Sequence, residues 1–340
     1  MATANAGLLA ARDHDAAGRH EAAIDELARA TRGGDLQAMS ELGHRLLNGD
    51  RAPRLPDDAV GLIADAARGG DGRALARVAA LTAAGAYFPQ DWPGSMRLLG
   101  EAAAAGDESA RGQLMTLHTA DAGQDWGVRA AQVDLDAWLR PAATEALHPK
   151  VHRAPSLVGD PVCAWLIGRA RGRLERATVY DAVSRTDEVH EMRSNTVANF
   201  DYATLDVVQF LVQARMSRAC GLRMQQFEAP MVLHYDVGQQ ITPHFDFIDV
   251  NAPDHEQQIR EQGQRMITFL LYLNDDYSAG ETTFPKLGIV NRGVRGDGLY
   301  FINAHPDGAA DRSMLHTGSP PTAGEKWIVS QFIRNIPLRP

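Results

Sequence analysis

Two patterns of apolar spacing divide the chain. Before about residue 120 the apolar positions are mostly alanine and leucine, and they recur with a fixed period. Gly34-Asp35, Gly70-Asp71 and Gly106-Asp107 stand 36 residues apart. Ala30, Ala66 and Ala102 keep that spacing, as do Ala38, Ala74 and Ala110, and the pair Gly49 and Gly85. A period in the mid-thirties belongs to a helix–turn–helix unit that buries its face only by stacking on its neighbours. Alanine at fixed positions lets helices approach closely. Each Gly-Asp is expected to end one helix and cap the next.

After residue 150 the spacing changes. Asp160-Pro161 reads as an N-cap followed by proline at the first helical position, starting a helix through Trp165, Ile167 and Leu174. Thr178 to Ser184 reads as a strand. Leu205 to Cys220 carries apolar residues at helical spacing, with Gly221 as its C-terminal glycine. From Met231 onward the pattern is that of strands. Met266 to Leu273 alternates, with Met266, Thr268, Leu270 and Tyr272 on one face. Leu299 to Ile302 and Trp327 to Ile333 read as core strands. The segment from Asp249 to Gln264 is polar and reads as a solvated loop or surface helix, with a lid as the functional alternative. Pro53, Pro56, Pro89 and Pro93 are expected in turns between helices. The mixed stretch 123–150 reads as a connector between helical repeats over 1–122 and a second domain over 151–340.

Composition narrows the function classes. A chain of 340 residues with 44% hydrophobic content is ordinary for two globular domains. The formal charge of −9 leaves no basic footprint for nucleic acid or an anionic membrane. Apolar runs such as Phe269 to Leu273 are too short to span a bilayer. Gly7 to Ala11 is followed at once by Arg12 and Asp13, unlike a signal peptide. Cys163 and Cys220 sit in different segments, so a disulfide framework is not expected and the default location is the cytoplasm.

Candidate chemistry concentrates between His234 and Asp246. The chain holds three H-x-D pairs: His234/Asp236, His244/Asp246 and His305/Asp307. In a strand, residues i and i+2 project to one face, so each pair could offer a metal one nitrogen and one oxygen. Alone, each is more simply a surface or capping pair. Pro306 and Gly308 mark the third as a turn. The downstream context separates the other two. His316 lies 72 residues after His244, and Lys326 lies ten residues after His316, both beside strand-like runs. Two imidazoles, a carboxylate and a nearby ammonium suit a metal and a small dicarboxylate that chelates it.

Residues 150–340 resemble the prolyl 4-hydroxylase-like branch of the iron(II)/2-oxoglutarate dioxygenases. The matching pieces are His234-Tyr235-x-x-Gly238-Gln239, Pro243-His244-Phe245-Asp246 and Arg265-x-x-Thr268-x-x-x-Tyr272-Leu273-Asn274. Next come Gly280-Glu281-Thr282-Thr283-Phe284-Pro285 and Gly296-Asp297-Gly298-Leu299-Tyr300-Phe301. Last are His316-x-Gly318 and Gly324-x-Lys326-Trp327. Arg193-Ser194 matches a position before a helix in that family. The resemblance implies that His244, Asp246 and His316 bind iron and that Lys326 binds the distal carboxylate of 2-oxoglutarate. It also implies that Tyr235 and Tyr272 hydrogen-bond that cosubstrate, and that the Thr268 and Leu270 face lines the pocket. Alternation then puts His234 and Asp236 on the opposite face from Tyr235. One departure is Ile241, where the family often has tyrosine, on the substrate side of the pocket. The N-terminal pattern resembles Sel1-like repeats, relatives of the tetratricopeptide class.

The fold implied is α+β: a double-stranded β-helix, or jelly roll, with flanking helices, preceded by an all-α helical repeat domain. The activity implied is hydroxylation of an unactivated C–H, with 2-oxoglutarate and O2 converted to succinate and CO2 and ascorbate as a supporting reductant. Asp246 fills the coordination position that a halogenase would leave to halide. A proline-like residue in a peptide or protein is the expected substrate, with free proline or pipecolate as the alternative. A non-catalytic adaptor with a relic barrel is the reading from another class. The repeats are expected to dock a protein partner, to self-associate, or only to act as scaffold.

Overall fold

Every 36 residues an aspartate carboxylate caps a helix. The computed structural model describes residues 6–120, 123, 125–177, 179–181, 186–188, 193–201, 204–250 and 255–338. Asp35 accepts from the amides of Gln37 and Ala38, Asp71 from that of Ala74, and Asp107 from that of Ala110. These caps start the helices Leu36–Asn48, Gly72–Ala84 and Glu108–Leu117. The glycine before each cap has φ of 84°, 91° and 97°, the left-handed turn that closes the preceding helix. Ala38, Ala74 and Ala110 are fully buried, so the periodic small residues are the packing seam. Pro56 and Pro93 depart from the turn expectation. Both sit in the first turn of a helix, Pro56–Arg68 and Trp92–Ala104, where a missing amide proton costs nothing.

The chain divides into two compact units, residues 1–135 with 202–210, and residues 136–201 with 211–340. Within the first, Arg77 Nη1 donates to the Leu205 carbonyl at 2.7 Å and the Val207 amide donates to Gln113 Oε1 at 2.9 Å.

The second unit is built on two facing antiparallel sheets. The larger runs in the order Glu145–His148, Val151–Ala154, Gly298–Ile302, Arg265–Tyr272, Lys326–Arg334, Met231–Tyr235, Thr196–Asn199 and Glu175–Arg176. The smaller runs Ile289–Asn291, Thr282–Phe284, His316–Gly318 and Ile241–His244. The core between them contains Leu233, Leu270, Phe284, Leu299, Phe301 and Ile328. The jelly roll expected from the sequence is thus the observed architecture, flanked by the helices Asp160–Arg171 and Val207–Cys220. Several boundaries differ. The first flanking helix stops at Arg171, because Gly172 caps it, and Leu174 lies beyond. Arg193 and Ser194 precede a strand rather than a helix, with Arg193 bridging to Ile241. Of the strand expected over 178–184, Val179–Asp181 pairs with Thr186–Glu188, while Thr178 and residues 182–184 lie outside the described residues. The polar segment carries the surface helix His255–Gln262, which buries no residue. Asn251, Pro253 and Asp254 lie outside the described residues. Among the described residues no helix is long and apolar enough to cross a membrane.

Candidate active site

His244 and His316 face each other as register partners on neighbouring strands of the smaller sheet. Their ring centroids are 4.3 Å apart. The strand that carries His244 ends there, and Asp246 lies two residues beyond it. Its carboxylate nevertheless reaches both imidazoles, with Oδ1 at 3.4 Å from His244 Nε2 and Oδ2 at 3.2 Å from His316 Nε2. The three side chains form a group whose donor atoms all lie within 4.8 Å of one another.

The orientation of each ring is set by the main chain. His244 Nδ1 lies 2.8 Å from the Thr242 carbonyl, and His316 Nδ1 lies 3.0 Å from the Met314 carbonyl. A carbonyl can only accept, so Nδ1 carries a proton on both rings and Nε2 is the atom of each that faces Asp246 and can coordinate a metal. Phe284 and Phe301 pack on His316 and close it off on the apolar side. Asp246 is held in turn: Thr268 Oγ1 donates to its Oδ2 at 2.7 Å, and Asn303 Nδ2 donates to Thr268 Oγ1 at 2.8 Å. Burial alone would raise the Asp246 pKa. The His316 and His244 imidazoles outweigh it and hold the carboxyl well below the usual range. The same pairing raises His316 against the effect of its own burial. Two imidazole Nε2 atoms and one carboxylate on one side of a cavity fit iron(II), whose remaining positions would stay open for chemistry.

The cavity beside this group has a volume of about 380 Å³. Tyr235, Leu270, Thr282 and Lys326 line it, together with Arg193 and Ile241 on other walls. Lys326 is fully buried. Its Nζ donates to the Gly280 carbonyl at 2.8 Å and lies 5.1 Å from the Tyr235 ring centre and 5.8 Å from that of Tyr272. Burial pushes its pKa down to about 8, with the Glu281 carboxylate acting in the other direction. An ammonium in such surroundings gains from an anionic ligand. Burial also raises the Tyr235 hydroxyl, so it is a proton donor.

The structure brings together most of the residues singled out by sequence but distributes their tasks differently. Leu270 and Tyr235 line the cavity. Thr268 instead supports Asp246 from behind. Tyr272 donates to Thr282 Oγ1 at 2.9 Å and accepts from Asn291 Nδ2 at 3.0 Å. Its one proton is therefore spent on Thr282, and Thr282 presents the hydroxyl to the cavity. His234 and Asp236 lie across the strand from Tyr235, and His305 to Gly308 form a turn in which the Gly308 amide donates to the His305 carbonyl. Sequence reasoning missed Asn303 and Asn291, which no spacing rule distinguishes from other asparagines. It also missed Gly293, where a Cβ would lie 1.9 Å from the Tyr272 ring.

A sequence profile of the 2OG-Fe(II) oxygenase superfamily matches residues 230–334. "Probable prolyl 4-hydroxylase 7" of Arabidopsis thaliana is 30% identical over 204 residues, which cover 54% of this chain and 62% of that protein. "Probable prolyl 4-hydroxylase 6" of the same plant is 31% identical over 205 residues, covering 54% of this chain and 69% of its own length. The chain thus spans about two thirds of these relatives. A solved Sel1 repeat protein from Oxalobacter formigenes is 29% identical and covers 32% of this chain and 87% of its own, with a TM-score of 0.28. The profile spans the region that holds His244, Asp246, His316 and Lys326, and with these relatives it shows that the chain belongs to the 2OG-Fe(II) oxygenases of the prolyl 4-hydroxylase-like kind.

Proposed function

We propose that this oxygenase hydroxylates an unactivated C–H of a proline-like residue in a peptide or protein. His244, Asp246 and His316 hold iron(II), and Lys326 pairs with the distal carboxylate of 2-oxoglutarate. The observation that carries this reading is the convergence of two imidazole Nε2 atoms and one carboxylate on the cavity that contains the buried Lys326 ammonium. Family membership supports the cofactors, since iron(II) and 2-oxoglutarate are typical of these oxygenases. Iron(II), when bound, supplies O2 activation coupled to decarboxylation of 2-oxoglutarate to succinate and CO2, with one oxygen atom passed to the substrate.

The chain's own residues bind and orient. The Thr242 and Met314 carbonyls hold the imidazoles in the coordinating tautomer. Lys326 supplies the charge-assisted anchor for 2-oxoglutarate, and the Thr282 hydroxyl, relayed from Tyr272, offers it a further hydrogen bond. Apolar walls from Leu233, Leu270 and Ile328 limit water at the reacting face. Two free cysteines support a reducing compartment such as the cytoplasm.

A second reading, a free amino acid as substrate, is favoured by Ile241. It lines the cavity with an aliphatic side chain, where the family resemblance would lead one to expect a tyrosine. One experiment tests both. The protein is incubated with iron(II), 2-oxoglutarate, O2 and ascorbate, and with proline-rich peptides, free proline or pipecolate. Mass spectrometry then reads oxygen incorporation. Turnover of the peptides supports the first reading, and turnover of the free acids alone supports the second. Failure to consume 2-oxoglutarate with any of them overturns both and favours a non-catalytic adaptor.

A further inference from the structure

Three side chains that the cavity does not use converge on the other face of the larger sheet. His234, Asp236 and Glu325 bring one imidazole nitrogen and two carboxylates within 4.8 Å of one another. His234 Nε2 lies 3.1 Å from Glu325 Oε2 and 3.8 Å from Asp236 Oδ1. Neighbouring donors around one ion at about 2.0–2.2 Å stand roughly 3–3.5 Å apart, so these separations need little adjustment. The backbone produces the arrangement. Tyr235 and Lys326 are register partners at the ends of the two strands, and Asp236 and Glu325 follow one step beyond those ends. Alternation sends Tyr235 and Lys326 into the cavity and their neighbours to the other side.

The imidazole is prepared for coordination. Thr196 Oγ1 lies 2.9 Å from His234 Nδ1 and donates its own proton to the His234 carbonyl at 3.5 Å. When Nδ1 donates to that hydroxyl, Nε2 is the atom that faces Glu325, across a 3.1 Å contact that a proton or a cation can occupy. The ring is buried against Trp327, with centroids 4.3 Å apart, and cannot swing away without losing that packing. Glu325 is also suited to share itself. Its Oε1 accepts from Arg171 at 2.7 Å, and its Oε2 lies against His234 Nε2, where an ion would take the place of the proton between them. Among the described residues the Asp236 carboxylate has no ion-pair partner other than His234. Two carboxylates against one guanidinium leave a net negative charge, and the exposure of Asp236 opens the group to water.

We propose that His234, Asp236 and Glu325 form a second divalent-metal site, separate from the cavity, that takes a first-row ion such as zinc(II) or cobalt(II) on one nitrogen and two oxygens. An ion there joins the two strands whose adjacent residues, Tyr235 and Lys326, line the cavity.

Cobalt(II) is the probe. The untagged full chain is freed of metal and titrated anaerobically, with bound cobalt counted after dialysis and the visible d–d bands recorded. The expected result is two ions per chain in the wild type, one in His244→Ala, and one in each of Asp236→Asn and Glu325→Gln. Asp236 is exposed, so Asp236→Asn is not expected to disturb folding, and circular dichroism checks both variants. A single ion in the wild type overturns the proposal, as does a second ion retained in either Asp236→Asn or Glu325→Gln. The His244→Ala background keeps the result independent of whether the cavity holds iron.

Discussion

Thr268 donates a 2.7 Å hydrogen bond to the Oδ2 of Asp246, the same oxygen that lies 3.2 Å from His316 Nε2. A residue expected to touch the cosubstrate therefore acts by aiming a carboxylate. Asn303 donates to the threonine oxygen, which leaves the hydroxyl proton directed at Asp246.

This relay leads to the first prediction. Asp246→Ala and His244→Ala should abolish iron binding while the fold persists. Thr268→Val removes only the orienting bond and should weaken iron by about 10- to 100-fold. Equilibrium dialysis with iron(II), under reducing and anaerobic conditions, checks the order. Unchanged affinity in Thr268→Val would remove the relay from the account.

Lys326 is the second case. Its replacement by alanine leaves the distal carboxylate of 2-oxoglutarate without a charge partner. The expected loss is about 1.5–3 kcal/mol, roughly a 10- to 150-fold rise in Kd, read by calorimetry on the iron-loaded protein. An unaltered Kd would place the cosubstrate elsewhere.

The buried ammonium also sets a pH dependence. Burial lowers its pKa to about 8, so the free protein begins to lose this proton above that pH. Because 2-oxoglutarate needs the charged form, its Kd should rise above pH 8, approaching tenfold per unit. The sign for stability is the reverse. Between about 8 and the unfolded value of about 10.4, the unfolded chain binds the proton that the native chain has lost, so this group adds stability as pH rises. Lys326→Met should remove both trends, which binding and denaturant titrations across pH 7 to 10 can test.

Tyr272 and Thr282 act in series. Thr282→Val removes the hydroxyl that faces the cavity, and Tyr272→Phe removes the proton donor behind it. Each should weaken 2-oxoglutarate by about 0.5–1.5 kcal/mol, roughly 2- to 12-fold, and the double variant should lose less than the sum. A strong effect of Tyr272→Phe beside a silent Thr282→Val would mean that Tyr272 contacts the cosubstrate directly.

In the helical unit the periodic aspartates invite a simple check. Asp71→Ala leaves the amide of Ala74 without its acceptor and should cost about 0.5–2 kcal/mol, read as a lower thermal midpoint. An unshifted midpoint would deny the cap its stabilising role.

The legible parts of the chain were those where one local rule governs. The Gly-Asp spacing revealed the helical repeat because the same turn chemistry recurs at each step. The alternation from 266 to 273 revealed a strand because a two-residue period has no helical counterpart. Separating His244/Asp246 from His234/Asp236 required the downstream His316 and Lys326, which come near only through sheet pairing. Asn303, Asn291 and Gly293 stayed hidden for the same reason. Each matters through a contact distant in sequence, such as the 35 residues between Asn303 and Thr268. Helix ends were misjudged where a glycine or proline had two uses, as at Gly172 and Pro56.

Both imidazoles of the His-Asp-His group take their orientation from a carbonyl two residues upstream, Thr242 for His244 and Met314 for His316. No point substitution deletes a main-chain carbonyl. Other side chains that line the cavity, Ile241 and Arg193 among them, have no such protection and can change one at a time. An evolving lineage can therefore exchange one substrate for another while the metal geometry is inherited intact. The same asymmetry marks where a designer should make changes.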